Sequence, residues 1–230
     1  MKIEQAYCLC VDKRIKFTKF MKQQFRELDI PLHLFIAGQG NLLPEKRYDH
    51  IDTNDVAPTW SYGNGQARIN NYNIFLCHQQ MIQHAKDHRW NNVLLLEDDA
   101  IILPRFKALI PQVLAQLDQM NWDACYLGHH HPDKDQYEAE YQNSGTVQVR
   151  YTNHMGGWHG VLLNHTAYDP LLSVPPKQNM DVTCPRACWS CFSIPRLILY
   201  RNVPSNALEE NPDARFYDYE YDLLEGLEYE

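Results

Sequence analysis

The chain has 230 residues, 44% hydrophobic and 22% charged, with a formal net charge of −8. That length suffices for one sizeable core, and the balance excludes a disordered, collagen-like or low-complexity chain. No apolar run approaches the roughly 18 residues of a membrane span, and "MKIEQAYCLCVDKR" lacks the apolar stretch and cleavage site of a signal peptide, so a cytoplasmic protein is expected.

"QAYCLCV" (residues 5–11) reads as a first strand, followed by a polar turn at 12–14. In "FTKFMKQQFREL" the apolar residues Phe17, Phe20, Met21, Phe25 and Leu28 recur at helical spacing. "LHLFIAG" is a second strand ending at Gly38, and strand, helix, strand with short links predicts a parallel βαβ unit. Residues 39–68 are polar and rich in turn formers, and read as loop. "NNYNIFLCHQQMIQHAKDH" resumes a helix and leads into "NNVLLLEDDAII".

Further on, "RFKALIPQVLAQL" predicts a helix interrupted or started at Pro111, and "WDACYLG" a strand. "HHHPDKDQYEAEYQNSG" reads as a long polar excursion, and "TVQVRYTN" alternates like a strand. "GGWHGVLLNHTAYDPLL" reads as strand then short helix, and "SIPRLILY" as one late strand. The order is alternating α/β with an irregular second half. From Glu209 to Glu230 there are nine acidic residues and one basic, Arg215, which leaves residues 1–208 formally neutral. The chain thus divides into a body, 1–208, and an acidic, aromatic-rich tail, 209–230. The neutral body carries no electrostatic footprint for nucleic acid.

The stretch that carries chemistry is Glu97-Asp98-Asp99, at the end of the apolar run Val93 to Leu96. Such a run suits a strand buried on both faces of an α/β sheet, and ligands bind beyond the carboxyl ends of such strands. Adjacent carboxylates repel, the more so near a core, and a divalent cation relieves that cost. Hard oxygen ligands suit Mg²⁺ or Mn²⁺ shared with substrate phosphates. If the strand alternation persists, Glu97 and Asp99 point one way and Asp98 the other. The alternative reading is a solvated acidic turn.

Seven cysteines, an odd number without a secretion signal, imply reduced thiols. Cys8, Cys10 and Cys77 lie in apolar segments and read as core residues. Cys184, Cys188 and Cys191 follow a C-x₃-C-x₂-C spacing that iron–sulfur or zinc chemistry can use, against a default of free thiols. His129 to His131 follow a strand and read as a solvated loop, or as a source of one metal or acceptor contact.

Several segments together resemble family 25 glycosyltransferases, which include lipooligosaccharide and collagen galactosyltransferases. "YCLCVDKRIKF" is similar to that family's opening strand and turn. "NIFLCHQQMIQHAKDHRWNNVLLLEDDAII" is similar to its helix with a Ser-His pair and its strand ending in Glu-Asp-Asp. "WDACYLG" matches the Trp-Asp…Leu-Gly strand, "GGWHGVLLNHTAYDPLL" the Gly/aromatic segment, and "MDVTC" with "SIPRLILY" the late Asp and final strand. The likeness covers roughly residues 5–204. The chain departs from the pattern at Cys77, where the family has Ser, at Asn73-Ile74, where it has Gly-Cys, and at Val161, where it has an aromatic residue. These departures bear on the sugar and the acceptor more than on the fold.

The resemblance implies a GT-A-type (Rossmann-like), mostly parallel sheet flanked by helices in a single domain. It implies a metal-dependent transferase moving galactose or glucose from a nucleotide sugar, UDP-linked by expectation, to a hydroxyl acceptor with inversion. Asp99, joined by Asp98, would hold Mn²⁺ or Mg²⁺, and Glu97 would reach the donor ribose or order the metal shell. Asp12, Arg14, Ala37 and Gly38 would line the nucleotide pocket, and Arg68, Asn71 and His78 would meet sugar or phosphates. Asp181 is the expected general base, with His159 next in line. The acceptor stays open between a glycan, a protein side chain and a modified nucleobase. The rivals are a catalytically inactive binding module and a metal-dependent phosphohydrolase built on the same carboxylates.

Overall fold

The computed structural model describes residues 1–11, 15–37, 66–129, 134–152, 156–175 and 180–200. The elements in chain order are β1 (Gln5–Val11), α1 (Ile15–Arg26), β2 (Leu32–Ala37), α2 (Gln66–Asp87), β3 (Asn92–Glu97), β4 (Ala100–Ile102) and α3 (Phe106–Leu117). They continue with β5 (Ala124–Tyr126), α4 (Lys134–Ser144), β6 (Gln148–Tyr151), β7 (Val161–Asn164), α5 (Tyr168–Ser173), α6 (Met180–Ala187), β8 (Ser190–Ile194) and β9 (Ile198–Tyr200). A short 3₁₀ turn, His165–Ala167, joins β7 to α5.

Among the described residues the main sheet has seven strands in the order β2-β1-β3-β7-β5-β8-β6, and β4 and β9 form a separate pair. β1 lies parallel to β2, with Val11 opposite Ala37, and parallel to β3, with Leu9 opposite Glu97. β7 runs antiparallel between β3 and β5, β8 is parallel to β5, and β6 closes the far edge antiparallel to β8. The sheet is therefore mixed: β1, β2, β3, β5 and β8 run one way, and β6 and β7 the other. This corrects the expectation of a mostly parallel sheet as far as neighbour pairing goes.

Strand alternation divides the interior into two cores. Tyr7, Leu9, Val93, Leu95, Tyr126, Val161 and Leu163 face α2, α5 and α6, where they meet Phe75, Met81, Ile82, Leu171 and Cys184. Ala6, Cys8, Cys10, Leu94, Leu96, Cys125 and Leu162 face α1 and α3, where they meet Met21, Phe25, Phe106, Val113 and Leu117. Leu94, Leu95 and Leu96 are fully buried, so the run is apolar because it is covered on both faces. Each such side chain contributes about 1.5–3 kcal/mol through burial.

Three expectations are corrected here. Helix α3 runs through Pro111, which is exposed while Phe106, Leu109, Ile110, Val113 and Leu114 are buried, so the apolar face outweighs one lost backbone bond. Part of the polar excursion is helix α4. Few of its residues are apolar, and it is held by buried Tyr137 and by Arg105 Nη2, which donates to both carboxylate oxygens of Glu138 at 2.8 and 2.9 Å. "SIPRLILY" is two strands in two sheets. Pro195, at the break, has no N–H for a ladder, and the amides of Arg196 and Leu197 turn to Glu138 (3.1 Å) and to the Leu127 carbonyl (2.8 Å).

Candidate functional site

The chain leaves β1 through α1 to β2 on one side, then returns to β3 on the other side of β1. The order of connection thus reverses between β1 and β3, and open α/β sheets take their ligands at the carboxyl ends of the strands at such a point. Val11 and Ala37 end their strands opposite each other at this edge, and Glu97 ends β3 opposite Leu9, two residues short of Val11. Asp12, Arg14 and Gly38, the other expected nucleotide contacts, lie outside the described residues.

β3 ends at Glu97, and Asp98 and Asp99 form the turn into β4. The expected alternation therefore stops one residue into the acidic cluster, because a turn has no period of two. Asp98 is buried, and Glu97 and Asp99 are half-buried. The nearby Cys8 thiol is pushed well above its ordinary range by its contact with Cys10 and by burial, with the charges of Asp98 and Asp99 adding to both. That places both carboxylates within electrostatic reach of β1, at the switch point.

His78, on α2, faces the same edge. It is 1% exposed, and its Nε2 lies 3.6 Å from Glu97 Oε1. Burial pushes its pKa from 6.5 down to about 3, so the imidazole is neutral and the contact is not an ion pair. Neither ring nitrogen has a hydrogen-bond partner among the described residues, and the ring stands edge-on to Trp158 at 5.6 Å between centroids. Trp158 Nε1 is likewise buried without a partner among the described residues. Arg68 and Asn71 lie in the first turns of α2, with Asn71 seven residues before His78. Their side chains lie outside the described residues.

A line of side chains continues from Trp158 towards α6. Tyr126 meets Trp158 edge-on at 6.2 Å. Burial, and then the Cys184 thiol beside it, pushes the Tyr126 hydroxyl well above its ordinary range, and Asp181 and Cys188 add to the shift. Asp181, in the first turn of α6, accepts a hydrogen bond from the Gly157 N–H at 3.3 Å. Gly157 has φ +89°, a backbone that favours glycine, and it precedes Trp158. Asp181 thus anchors the segment that presents Trp158.

His159, the second expected base, is buried elsewhere on that segment. A Cβ on Gly128 would come within 2.5 Å of its Cδ2 and 2.8 Å of the Ile198 carbonyl. The glycine of "WDACYLG" is there because an imidazole and a backbone occupy its side-chain space. The Asp of that segment is an anchor too. Asp123 accepts the Trp189 N–H at 2.9 Å and the Thr166 hydroxyl, tying β5 to the start of β8 and to the 3₁₀ turn.

The fold thus gathers Glu97, Asp98, Asp99 and His78 at one edge, and links Asp181 to them through Tyr126 and Trp158. Sequence reasoning missed Trp158, Tyr126 and the Cys184 thiol as parts of this line. Their signal was buried polarity, which no spacing rule reads. Cys184 and Cys188 lie one helical turn apart, with the thiols in contact. Cys191 pairs in register with Cys125, which lies in the opposite core from Cys184. The side chain of Cys191 and the imidazoles of His130 and His131 lie outside the described residues, whereas His129 is buried rather than in a solvated loop.

Among the described residues no three His, Cys, Asp or Glu side chains gather as a metal cage. Asp98 and Asp99 supply hard oxygens on one turn, which fits Mg²⁺ or Mn²⁺ completed by substrate phosphates rather than a closed protein site.

No family model and no curated protein matches the chain. Among solved structures, one described as the crystal structure of A197 from STIV aligns over 82% of this chain and 81% of its own, at 7% sequence identity and a TM-score of 0.41. A likeness that low carries no argument. No helix among the described residues is long and apolar enough to cross a membrane.

Proposed function

We propose that the chain is a glycosyltransferase of the GT-A type that moves a hexose, galactose or glucose, from a UDP-linked donor to a hydroxyl acceptor with inversion. The observation that carries this reading is the acidic turn Asp98-Asp99 behind Glu97, at the carboxyl end of β3 beside the β1/β3 switch point. The family 25 resemblance, which rests on motifs alone, supports the same assignment.

Asp99, joined by Asp98, would hold Mn²⁺ or Mg²⁺. The metal would supply charge neutralisation to the donor diphosphate as the glycosidic bond leaves. Glu97 stands at the end of the strand next to β1, where a ribose hydroxyl would find a carboxylate acceptor. His78 beneath it offers a neutral imidazole able to donate from one nitrogen and accept at the other. Asp181 is the proposed base for the acceptor hydroxyl. The acceptor is a glycan, a protein side chain or a modified nucleobase, and the protein is proposed to work in the cytoplasm.

The test is calorimetric titration of UDP with and without Mn²⁺, together with donor hydrolysis. Metal-dependent UDP binding that Asp99→Ala abolishes while the thermal melt stays cooperative supports the reading. Unchanged affinity in that variant overturns it. Binding with no turnover of any sugar donor leaves a binding module, and release of inorganic phosphate leaves a phosphohydrolase.

A further inference from the structure

Helix α1 carries four basic residues and no acidic one. Lys19, Lys22 and Arg26 are exposed, and their i, i+3, i+7 spacing puts them in one stripe beside the face that buries Met21 and Phe25. Elsewhere on the described surface Lys86 pairs with Asp169, Arg105 with Glu138 and Arg150 with Glu140, while Lys2, Arg89 and Lys107 are exposed singly and without a salt bridge to a described residue. The three on α1 have none among the described residues. Glu27, one residue past the helix, is the nearest acid in sequence.

The chain leaves the described fold beside this helix. Tyr200, the last residue of β9, pairs with Ala100 of β4. Gln24 of α1 closes the other edge of β4, accepting from the Ile102 N–H at 2.7 Å and donating to the Ala100 carbonyl at 3.4 Å. A single strand thus separates α1 from the point where the described fold ends. Beyond it come eight residues, 201–208, and then the tail 209–230 with its net charge of −8. Eight residues reach up to about 26 Å, more than the roughly 10–12 Å diameter of a helix. A short tether also holds the tail at a millimolar effective concentration.

We infer that the acidic tail of this chain docks on the basic stripe of α1, with the carboxylates around Asp218, Glu220 and Asp222 against Lys19, Lys22 and Arg26. In "FYDYEYD" those acids alternate with Tyr217, Tyr219 and Tyr221, so an extended segment puts its carboxylates on one face. The docked tail covers the outer surface of the helix that follows β1. This inference does not depend on the proposed activity.

The test is ¹⁵N relaxation on the full chain at low salt, with two charge reversals made separately and then together. They are Lys19→Glu/Lys22→Glu/Arg26→Glu on α1 and Asp218→Lys/Glu220→Lys/Asp222→Lys on the tail, and the second leaves the body untouched. Wild-type amides of residues 216–222 should approach the order parameter of about 0.85 of rigid backbone, fall below about 0.6 in each single reversal, and recover when both are combined. The inference is overturned if those amides are already below about 0.6 in the wild type, or if reversing α1 leaves them unchanged. Failure of the combined variant to recover would also overturn it. So would binding of phosphatidylserine vesicles by the wild-type chain that Lys19→Glu/Lys22→Glu/Arg26→Glu abolishes, because the stripe would then be open to a membrane.

Discussion

His78 and Glu97 face each other across 3.6 Å, too far for a hydrogen bond, with the imidazole 1% exposed and neutral. A buried imidazole whose two nitrogens lack partners costs stability, about 1–3 kcal/mol for each unsatisfied group. A fold concerned only with its core would place an apolar residue there, as it does at Phe75 and Met81 on the same helix. The cost falls at the carboxyl edge of β3, beside three carboxylates, where a polar ligand would supply the missing partners.

The depressed pKa of His78 makes the fold acid-sensitive. The group has a pKa of about 3 in the fold against 6.5 unfolded, so between those values the unfolded chain binds the extra proton. Stability is then fully present above about pH 6.5 and falls as the pH drops, by about 1.4 kcal/mol per unit, down to about pH 3. Urea unfolding of the wild type and of His78→Gln at pH 4, 5, 6 and 7 checks this. The difference between their stabilities should change by roughly 1 kcal/mol per unit below pH 6. Parallel curves would mean that the ring is protonated in the fold.

Gly128→Ala should destabilise by about 1–3 kcal/mol, the usual cost of forcing a methyl group into an occupied core. The added Cβ would meet the His159 ring at 2.5 Å and the Ile198 carbonyl at 2.8 Å, and only the ring can move. Adding His159→Ala should therefore recover part of the loss and not all of it. Thermal melts of the two variants decide, and full recovery would show that the backbone contact is relaxed.

Asp123 offers a test of an anchor that the sequence presents as a motif. Its carboxylate holds the Trp189 amide and the Thr166 hydroxyl, so Asp123→Ala leaves both donors without that acceptor. A loss of about 1–3 kcal/mol is expected, with faster amide exchange at Trp189 and Thr166 and no change at Glu97. Unaltered exchange at Trp189 would place that bond outside the stable fold.

What could be read from the sequence follows burial. β1, α1, β2 and β3 are legible because their apolar residues recur with the right period or run unbroken, and the carboxylates are conspicuous against the greasiest segment. Helix α4 was hidden because among its described side chains Tyr137 alone buries deeply and the Arg105–Glu138 pair that fixes it spans thirty-three residues. The split of "SIPRLILY" was hidden for a related reason, since the partners that pull β8 and β9 into different sheets lie far away in sequence. Nothing local in the sequence marks the Trp158 indole N–H and the Tyr126 hydroxyl as buried polar groups.

Asp181 is the residue on which the proposed chemistry turns. Its Oδ2 accepts the Gly157 N–H, and the carboxamide introduced by Asp181→Asn keeps an oxygen for that bond. The segment bearing Trp158 should therefore stay in place and the thermal melt should stay near that of the wild type. UDP and Mn²⁺ affinity should also be kept, because the proposed metal ligands sit on the β3–β4 turn and not on α6. Sugar transfer should fall by roughly 10²–10⁴-fold, the usual contribution of a general base, while donor hydrolysis by water falls less. Rates measured from pH 5 to pH 9 would add a second readout, since loss of the base should remove the rising limb on the acid side. If the variant fails to bind metal, Asp181 belongs to the metal shell and His159 is the next residue to test. If it transfers sugar at the full rate, the carboxylate serves only to hold Gly157.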